Sequence, residues 1–172
     1  TRKESSAASD VYKRQAMVDG IATAAGCQLI SSCDLAYSSS RAKYATPGVN
    51  IGLFCSTPMV PLSRTVGKKQ AMEMLLTGDL IDANKALRIG LINDVFEEDS
   101  LKENVFQIAK KISSKSSNTI KIGKEAFYKQ KEMNLEDAYT FTSKVMTENM
   151  LHDDSKEGID AFLEKREPNW KE

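Results

Sequence analysis

The 172-residue sequence is poor in the residues that most directly announce chemistry: one histidine, three cysteines, one tryptophan and four prolines. A net excess of either charge is also missing, because 24 basic side chains face 24 acidic ones. A zinc site needs about four ligands at close spacing, and His152 lies far from every cysteine, so no metal centre is expected. A Ser-His-Asp or Cys-His mechanism would have to use the same His152. It sits between Leu151 and Asp153 near a helix end and reads as a solvated or packing histidine. Cys27, Cys33 and Cys55 are odd in number and lack CxxC spacing, the pattern of reduced intracellular thiols. Balanced charge argues against nucleic acid as the main partner. No apolar run approaches the ~18 residues of a membrane span, so no membrane partner is expected. Nine glycines and 41% hydrophobic residues exclude collagen-like and wholly disordered chains. What remains is one globular domain of ordinary size.

Residues 5–15 (SSAASDVYKRQ) show no hydrophobic periodicity and read as a tail. The string is similar to the translation of a transposon adapter used in shotgun sequencing, with an ordinary disordered terminus as the alternative. Residues 1–15 are therefore set aside as a non-native tail. On that basis genuine sequence starts near Ala16, and the chain is the C-terminal piece of a longer protein.

Short strands are expected early and helices later. Residues 16–20 read as a strand end, and 21–30 as a tight loop of small residues feeding a buried helix start. Leu35, Ala36 and Tyr37 read as a buried strand ended by Ser38, Ser39 and Ser40. Residues 43–48 read as a strand stopped by Pro47-Gly48. Pro58 suits a first helical position. Residues 70–77 form a helix closed by Gly78, and Asp82 caps a helix that ends at Gly90. Residues 91–96 are a strand candidate. Residues 97–115 place Leu101, Val105, Ile108 and Ile112 on one face. Helices follow near 118–131 and 135–151. The last opens with a capping-box variant at 154–157, buries Ile159, Phe162 and Leu163, and carries Lys165 and Arg166 in its last turn. Met72 and Met74 are expected to fill core. The class is α/β, with residues 16–115 as core and 116–172 as a helical region.

The segment with a functional shape is 20–29. Small residues running into a helix start leave backbone N–H groups uncovered in front of the helix dipole, as in an oxyanion hole. Taken alone the pattern is weak, because small residues at a helix start more often reflect tight helix–strand packing.

DGIATAAGCQLISSCDLAYSSSRAKYATPGVNIG, then LSRTVGKKQAMEMLLTGDLIDANKALRIGLINDVF, then EGIDAFLEKREPNW resemble, in that order, the enoyl-CoA hydratase/isomerase (crotonase) superfamily. The resemblance implies a ClpP/crotonase-like ββα spiral with a C-terminal helical trimerisation region. It implies an acyl-CoA thioester as partner, with coenzyme A arriving as part of the substrate and no separate cofactor. It further implies a lyase of fatty acid metabolism, assembled as a homotrimer or hexamer when full length. Two amides of the family hold the thioester oxygen and stabilise an enolate. One maps to Ala25, with Gly26 beside it, and the other falls outside this sequence. Compartment follows source: cytoplasm for a bacterium, mitochondrial matrix for a eukaryote.

The departures bear on mechanism. Where hydratases place their two glutamates, this sequence has Gln28 and Gly48. Adding water needs a general base and a general acid, and neither glutamine nor glycine can serve. Gln28 either orients a substrate group or fills a buried site. Restoring both glutamates is expected to create hydration. Asn50, Phe54 and Cys55 match the acyl-pocket border, with packing as the alternative for each. A Cys55 thiol would act chemically only if its pKa were lowered. Lys165 matches the lysine that reaches the CoA nucleotide from a neighbouring subunit, or is a solvated lysine at a helix end.

Overall fold

Two successive ββα units stack in parallel at the start of the chain, in a computed structural model that describes residues 15–170. The expected tail, apart from Gln15, lies outside the described residues. The first unit is β1 (Gln15–Val18), β2 (Ile21–Thr23) and α1 (Ala25–Ser31). The second is β3 (Leu35–Ser39), β4 (Lys43–Ala45), a 3₁₀ turn (Pro47–Ile51) and α2 (Ser56–Thr65). β1 pairs with β3 from Gln15↔Leu35 to Val18↔Ser38, and β2 with β4 from Ile21↔Lys43 to Thr23↔Ala45. β6 (Asp94–Phe96) extends the first sheet beyond β3, in parallel. β5 (Ile81–Asp82) extends the second beyond β4, antiparallel.

The strands are short because each unit turns a corner between its two sheets. Gly20, at φ 134°, makes the first corner in a region that side chains other than glycine avoid. Its carbonyl accepts from Lys43 N–H at 3.0 Å. Arg41 of the second corner grips Asp19 of the first through two bonds of 2.8 and 2.7 Å. Hydrogen bonding from Arg41 holds the Asp19 carboxyl below its usual range. The pair is exposed, so its contribution is chiefly geometric: a planar fork fixes how the units align.

Ile21–Thr23 is a strand where local sequence suggested a loop, because β4 supplies a ladder that three residues cannot specify alone. The serine run does not end β3. Ser38 and Ser39 lie inside the strand, fully buried. Burial is tolerated at Ser38 because its Oγ accepts from the Tyr44 hydroxyl at 2.8 Å and donates to Ser39 O at 2.8 Å. Leu91 and Ile92 are buried in a turn, and only Asp94–Phe96 is strand.

Cys27, Tyr44, Leu62, Met74 and Leu75 lie fully buried in the main core. Met74 fills it as expected, whereas Met72 faces out. α2 begins at Ser56, so Pro58 is its third residue rather than its first. α3 (Lys68–Thr77) ends on Gly78 at φ 67°. α4 (Ala83–Arg88) is capped by Asp82, whose Oδ1 accepts from Lys85 N–H at 2.7 Å. α5 (Glu98–Ser113) presents Leu101, Val105 and Ile108 to Tyr37 and Phe96.

The chain divides within α5 into two compact units, one covering Arg14–Ile108 and the other running from Ala109. The second holds α6 (Ser117–Gln130), α7 (Leu135–Met150) and α8 (Asp153–Glu164). Ser116 caps α6 by accepting from Thr119 N–H at 3.0 Å, and its hydroxyl donates to buried Asp154 at 2.5 Å. That bond ties the first turn of α8 to the start of α6. Asp154 is therefore not part of a capping box, and the N-cap is His152, whose Nδ1 lies 3.0 Å from Asn118 Nδ2. The expected apolar face of α8 is not buried in this unit: Phe162 is 81% and Leu163 71% exposed, and Ala161 packs inward instead. Lys165 and Arg166 fall just past the helix end. No described helix is long and apolar enough to cross a membrane.

Replacing Tyr44 by Phe removes one donor from the buried hydroxyl chain. Stability is expected to fall by about 1 kcal/mol, read as a lower denaturant midpoint at unchanged slope; an unchanged midpoint contradicts the role assigned to the bond.

Candidate active site

Small residues between β2 and α1 let the chain pass from strand to helix with almost no loop. The turn is made by Ala24, at φ 46° and ψ −109°. This is the mirror image of an extended conformation, which glycine adopts freely and a Cβ opposes. An alanine there costs about 1–3 kcal/mol. It is held from both sides: Ala24 N–H donates to Ala45 O at 3.0 Å, and Ala24 O accepts from Gln28 N–H at 2.9 Å. The helix then starts at Ala25 with no capping side chain. Among the described residues no acceptor takes the N–H of Ala25 or Gly26, and Ala25 is exposed. Two amides at the positive end of a helix, unclaimed by the protein, can receive an oxygen that carries developing negative charge.

Gln28 follows on the first turn of α1, half-buried. Cys27 beside it is fully buried, and burial pushes its thiol up to about 11. It is a packing residue at neutral pH.

Gly48 lies across the second junction, past β4 in the 3₁₀ turn. Its N–H points at Cys55 Sγ, 3.3 Å away, and its carbonyl accepts from Leu53 N–H at 2.9 Å. The segment that follows therefore folds back onto the glycine. A Cβ at Gly48 would stand 2.6 Å from Leu53 O and 2.9 Å from Cys55 Sγ. A backbone carbonyl cannot swing aside as a side-chain tip can, so the place where a glutamate would begin is filled. The expectation that Gln28→Glu with Gly48→Glu restores hydration is corrected on this point. Cys55 itself is buried at the N-cap of α2. Phe54 is 43% exposed beside it. The Asn50 side chain lies over Gly78 at the end of α3. Thr46 Oγ1, between β4 and the turn, is fully buried with no partner among the described residues.

The bond from Ala24 to Ala45 is what brings the two junctions together: Ala25, Gly26 and Gln28 on one side, and Gly48 with Cys55 on the other. No described cluster of three or more His, Cys, Asp or Glu side chains could hold a metal ion.

Lys165 belongs to the second compact unit. It follows the last residue of α8 with φ 54° and ψ 40°, a left-handed position usually given to glycine. Arg166 N–H returns to Ala161 O at 3.0 Å. The Arg166 guanidinium grips Glu157 at 2.6 and 3.0 Å and Glu164 at 2.5 Å. Glu157 also accepts from Asn169 N–H at 2.7 Å, and Trp170 Nε1–H donates to Ser114 O at 2.8 Å. Arg166 beside it, with the Asn169 amide, holds the Glu157 carboxyl at about 2. Ala24 and Lys165 are the two described non-glycine residues with positive φ. Sequence reasoning missed this strain at both, because neither alanine nor lysine signals a positive φ.

The family model described as enoyl-CoA hydratase/isomerase matches residues 14–172. Over 155 residues the chain is 53% identical to mitochondrial enoyl-CoA hydratase domain-containing protein 3 of Mus musculus, covering 90% of this chain and 52% of that protein. It is 36% identical over 154 residues to the short-chain-enoyl-CoA hydratase of Clostridium acetobutylicum, covering 88% and 58%. The crystal structure of human enoyl Coenzyme A hydratase domain-containing protein 3 superposes with a TM-score of 0.88 at 52% identity, covering 91% of this chain and 62% of that one. An enoyl-CoA hydratase of Mycobacterium smegmatis gives 0.88 at 46% identity, covering 91% and 61%. The chain thus spans about half the length of the curated relatives it matches.

Two junction variants and one titration check the geometry. Gly48→Ala should lose about 1–3 kcal/mol by overpacking, and Ala24→Gly should gain up to about 1 kcal/mol by relieving strain; equal midpoints for both would contradict the assigned strain. Glu157 ionises far below the ordinary 4.5 of its type. Its contribution is therefore complete above about pH 4.5 and lost as pH falls toward about 2. Emission from Trp170, the single tryptophan, should stay constant down to that range and shift below it. A shift that begins near neutrality would be inconsistent with the Glu157 clamp.

Proposed function

Because the chain belongs to the enoyl-CoA hydratase/isomerase family and shares its crotonase fold, we propose that it binds acyl-CoA thioesters, with the Ala25 amide as one of the two donors to the thioester oxygen and Gly26 beside it. The observation that carries this reading is the strained Ala24, which turns the chain so that the Ala25 N–H is left without a protein acceptor at an exposed helix start. Such a donor is commonly worth ~10²–10³ in rate when charge develops on the oxygen.

The chemistry that fits is enolate formation without water addition. Hydration needs one group to take a proton from water and another to protonate the α-carbon. The Gln28 amide does not ionise, and at Gly48 the room for a side chain is taken by Leu53 O and Cys55 Sγ. An enolate can instead be reached by breaking a bond at the α-carbon. In decarboxylation of a malonyl-type thioester, carbon dioxide leaves, its bonding pair passes to the α-carbon and onto the thioester oxygen, and solvent returns the proton. This lyase-type step uses the amides and needs no carboxylate. Coenzyme A comes with the substrate, Phe54, Cys55 and Asn50 border the acyl end, and the resemblance to the family implies that Lys165 reaches the nucleotide bound by a neighbouring subunit. The exposed Phe162 and Leu163 support assembly as a homotrimer or hexamer. The relatives from mouse and human are labelled mitochondrial, which supports a mitochondrial matrix setting if the source is eukaryotic. A second reading, a non-catalytic acyl-CoA binder, draws on the same filled space at Gly48.

Titration with crotonyl-CoA and malonyl-CoA separates these readings. Binding of both is expected, with crotonyl-CoA hydrated at least about 10⁴-fold more slowly than by a relative with both glutamates, the upper range of what acid–base groups contribute. Release of carbon dioxide from malonyl-CoA supports the lyase reading, and binding without turnover supports the non-catalytic one. Rapid hydration, or no binding, contradicts the proposal.

A further inference from the structure

A groove lies between α6 and α7, wholly within the compact unit that runs from Ala109. Its volume is about 370 Å³, inside the range of about 300–1,000 Å³ in which small ligands are held. Ile122 and Ala126 of α6, with Phe141 and Val145 of α7, give it apolar walls. Its charged side chains are Glu125, Lys129 and Glu148, two carboxylates against one ammonium. Glu148 meets Lys144 at 3.8 Å, the outer limit of an ion pair, so its charge is not neutralised. His152 at one end adds no positive charge: an amide nitrogen donates, so the Nδ1 that lies 3.0 Å from Asn118 Nδ2 accepts and carries no proton. Asn149 also lines the groove. Its main-chain carbonyl accepts from His152 N–H at 3.1 Å and from Ser155 Oγ at 2.5 Å, but its side-chain Oδ1 is buried with no partner among the described residues. An amide oxygen shielded from water and from any donor keeps its partial negative charge uncompensated, and this adds to the field of the carboxylates.

The chain already places a cation here. Lys129 Nζ stands 4.8 Å from the centre of the Phe141 ring, a cation–π distance. Lys129 is exposed in the last turn of α6, so its ammonium can leave that ring face for water. We propose that this groove is a binding site for a primary alkylammonium, whose charge takes the place over Phe141 that Lys129 holds and whose aliphatic stem lies against Ile122, Ala126 and Val145. Lys129 is then a tethered stand-in for the ligand and competes with it. The groove selects by charge: an alkylcarboxylate of the same length meets two carboxylates and an uncompensated amide oxygen, and an alcohol brings no charge to the ring. The site shares no residue with the Ala25 junction and does not rest on the acyl-CoA reading.

The test is a ¹H–¹⁵N titration of the intact protein with n-pentylammonium chloride, 1-pentanol and sodium pentanoate at constant ionic strength. Saturable shifts at residues 141–149 are expected with n-pentylammonium, with the Ala25 and Gly26 amides unmoved; 1-pentanol and pentanoate should bind at least about tenfold more weakly. Lys129→Ala removes the internal competitor and should tighten n-pentylammonium about threefold. Phe141→Leu keeps an apolar wall without the ring, and Glu148→Gln keeps the shape without the charge; each should weaken it about threefold. Lys129 and Glu148 are exposed, so their variants carry the test if Phe141→Leu does not fold. Binding of 1-pentanol as tight as that of n-pentylammonium would make the groove a mere apolar crevice and overturn the proposal. Unchanged or weaker binding in Lys129→Ala, or no saturable shift at residues 141–149 in the unaltered protein, overturns it as well.

Discussion

One hydrogen bond organises the candidate site: Ala24 N–H to Ala45 O, 3.0 Å. It joins the end of one ββα unit's strand pair to the end of the next and holds an alanine where a Cβ is unwelcome. The parallel register of β2 and β4 places these two residues side by side, so the turn is a consequence of how the units stack. From that turn follow the direction of α1, the unclaimed amides of Ala25 and Gly26, and the nearness of Gly48. Backbone strain kept at one point makes sense where the surrounding structure over-determines it and the released groups have something to bind.

The second junction limits what the first can do. Packing of Leu53 O and Cys55 Sγ against Gly48 leaves no open space for a side chain at that position. Loop and glycine fit each other, and a single substitution meets a rigid carbonyl. If the Ala25 amide receives a thioester oxygen as proposed, the site suits reactions in which the electron pair comes from bond cleavage, or the holding of a ligand without converting it.

Local chemistry made part of this legible in the sequence. Gly78 as a helix stop, Asp82 as a cap and the Leu101–Val105–Ile108 face are all encoded within a few residues, and the structure has them. The family resemblance, carried by three motifs in order, gave the fold. Features that depend on distant partners were not legible. β2 needs β4 to be a strand; Ser38 needs the Tyr44 hydroxyl to be buried. The outward face of α8 read as core because periodicity tells which residues share a side, not whether that side is covered within the same unit. At Gly48 the sequence showed that a glutamate was absent, and only the folded loop showed that its space was occupied.

The most direct measurement is the ¹H–¹⁵N signal of the Ala25 amide while acetyl-CoA is added. A thioester oxygen accepted by that N–H should move its proton resonance downfield, with Gly26 changing beside it and amides at the far end of α1 holding still. Saturable binding with the Ala25 and Gly26 signals unmoved would contradict the account.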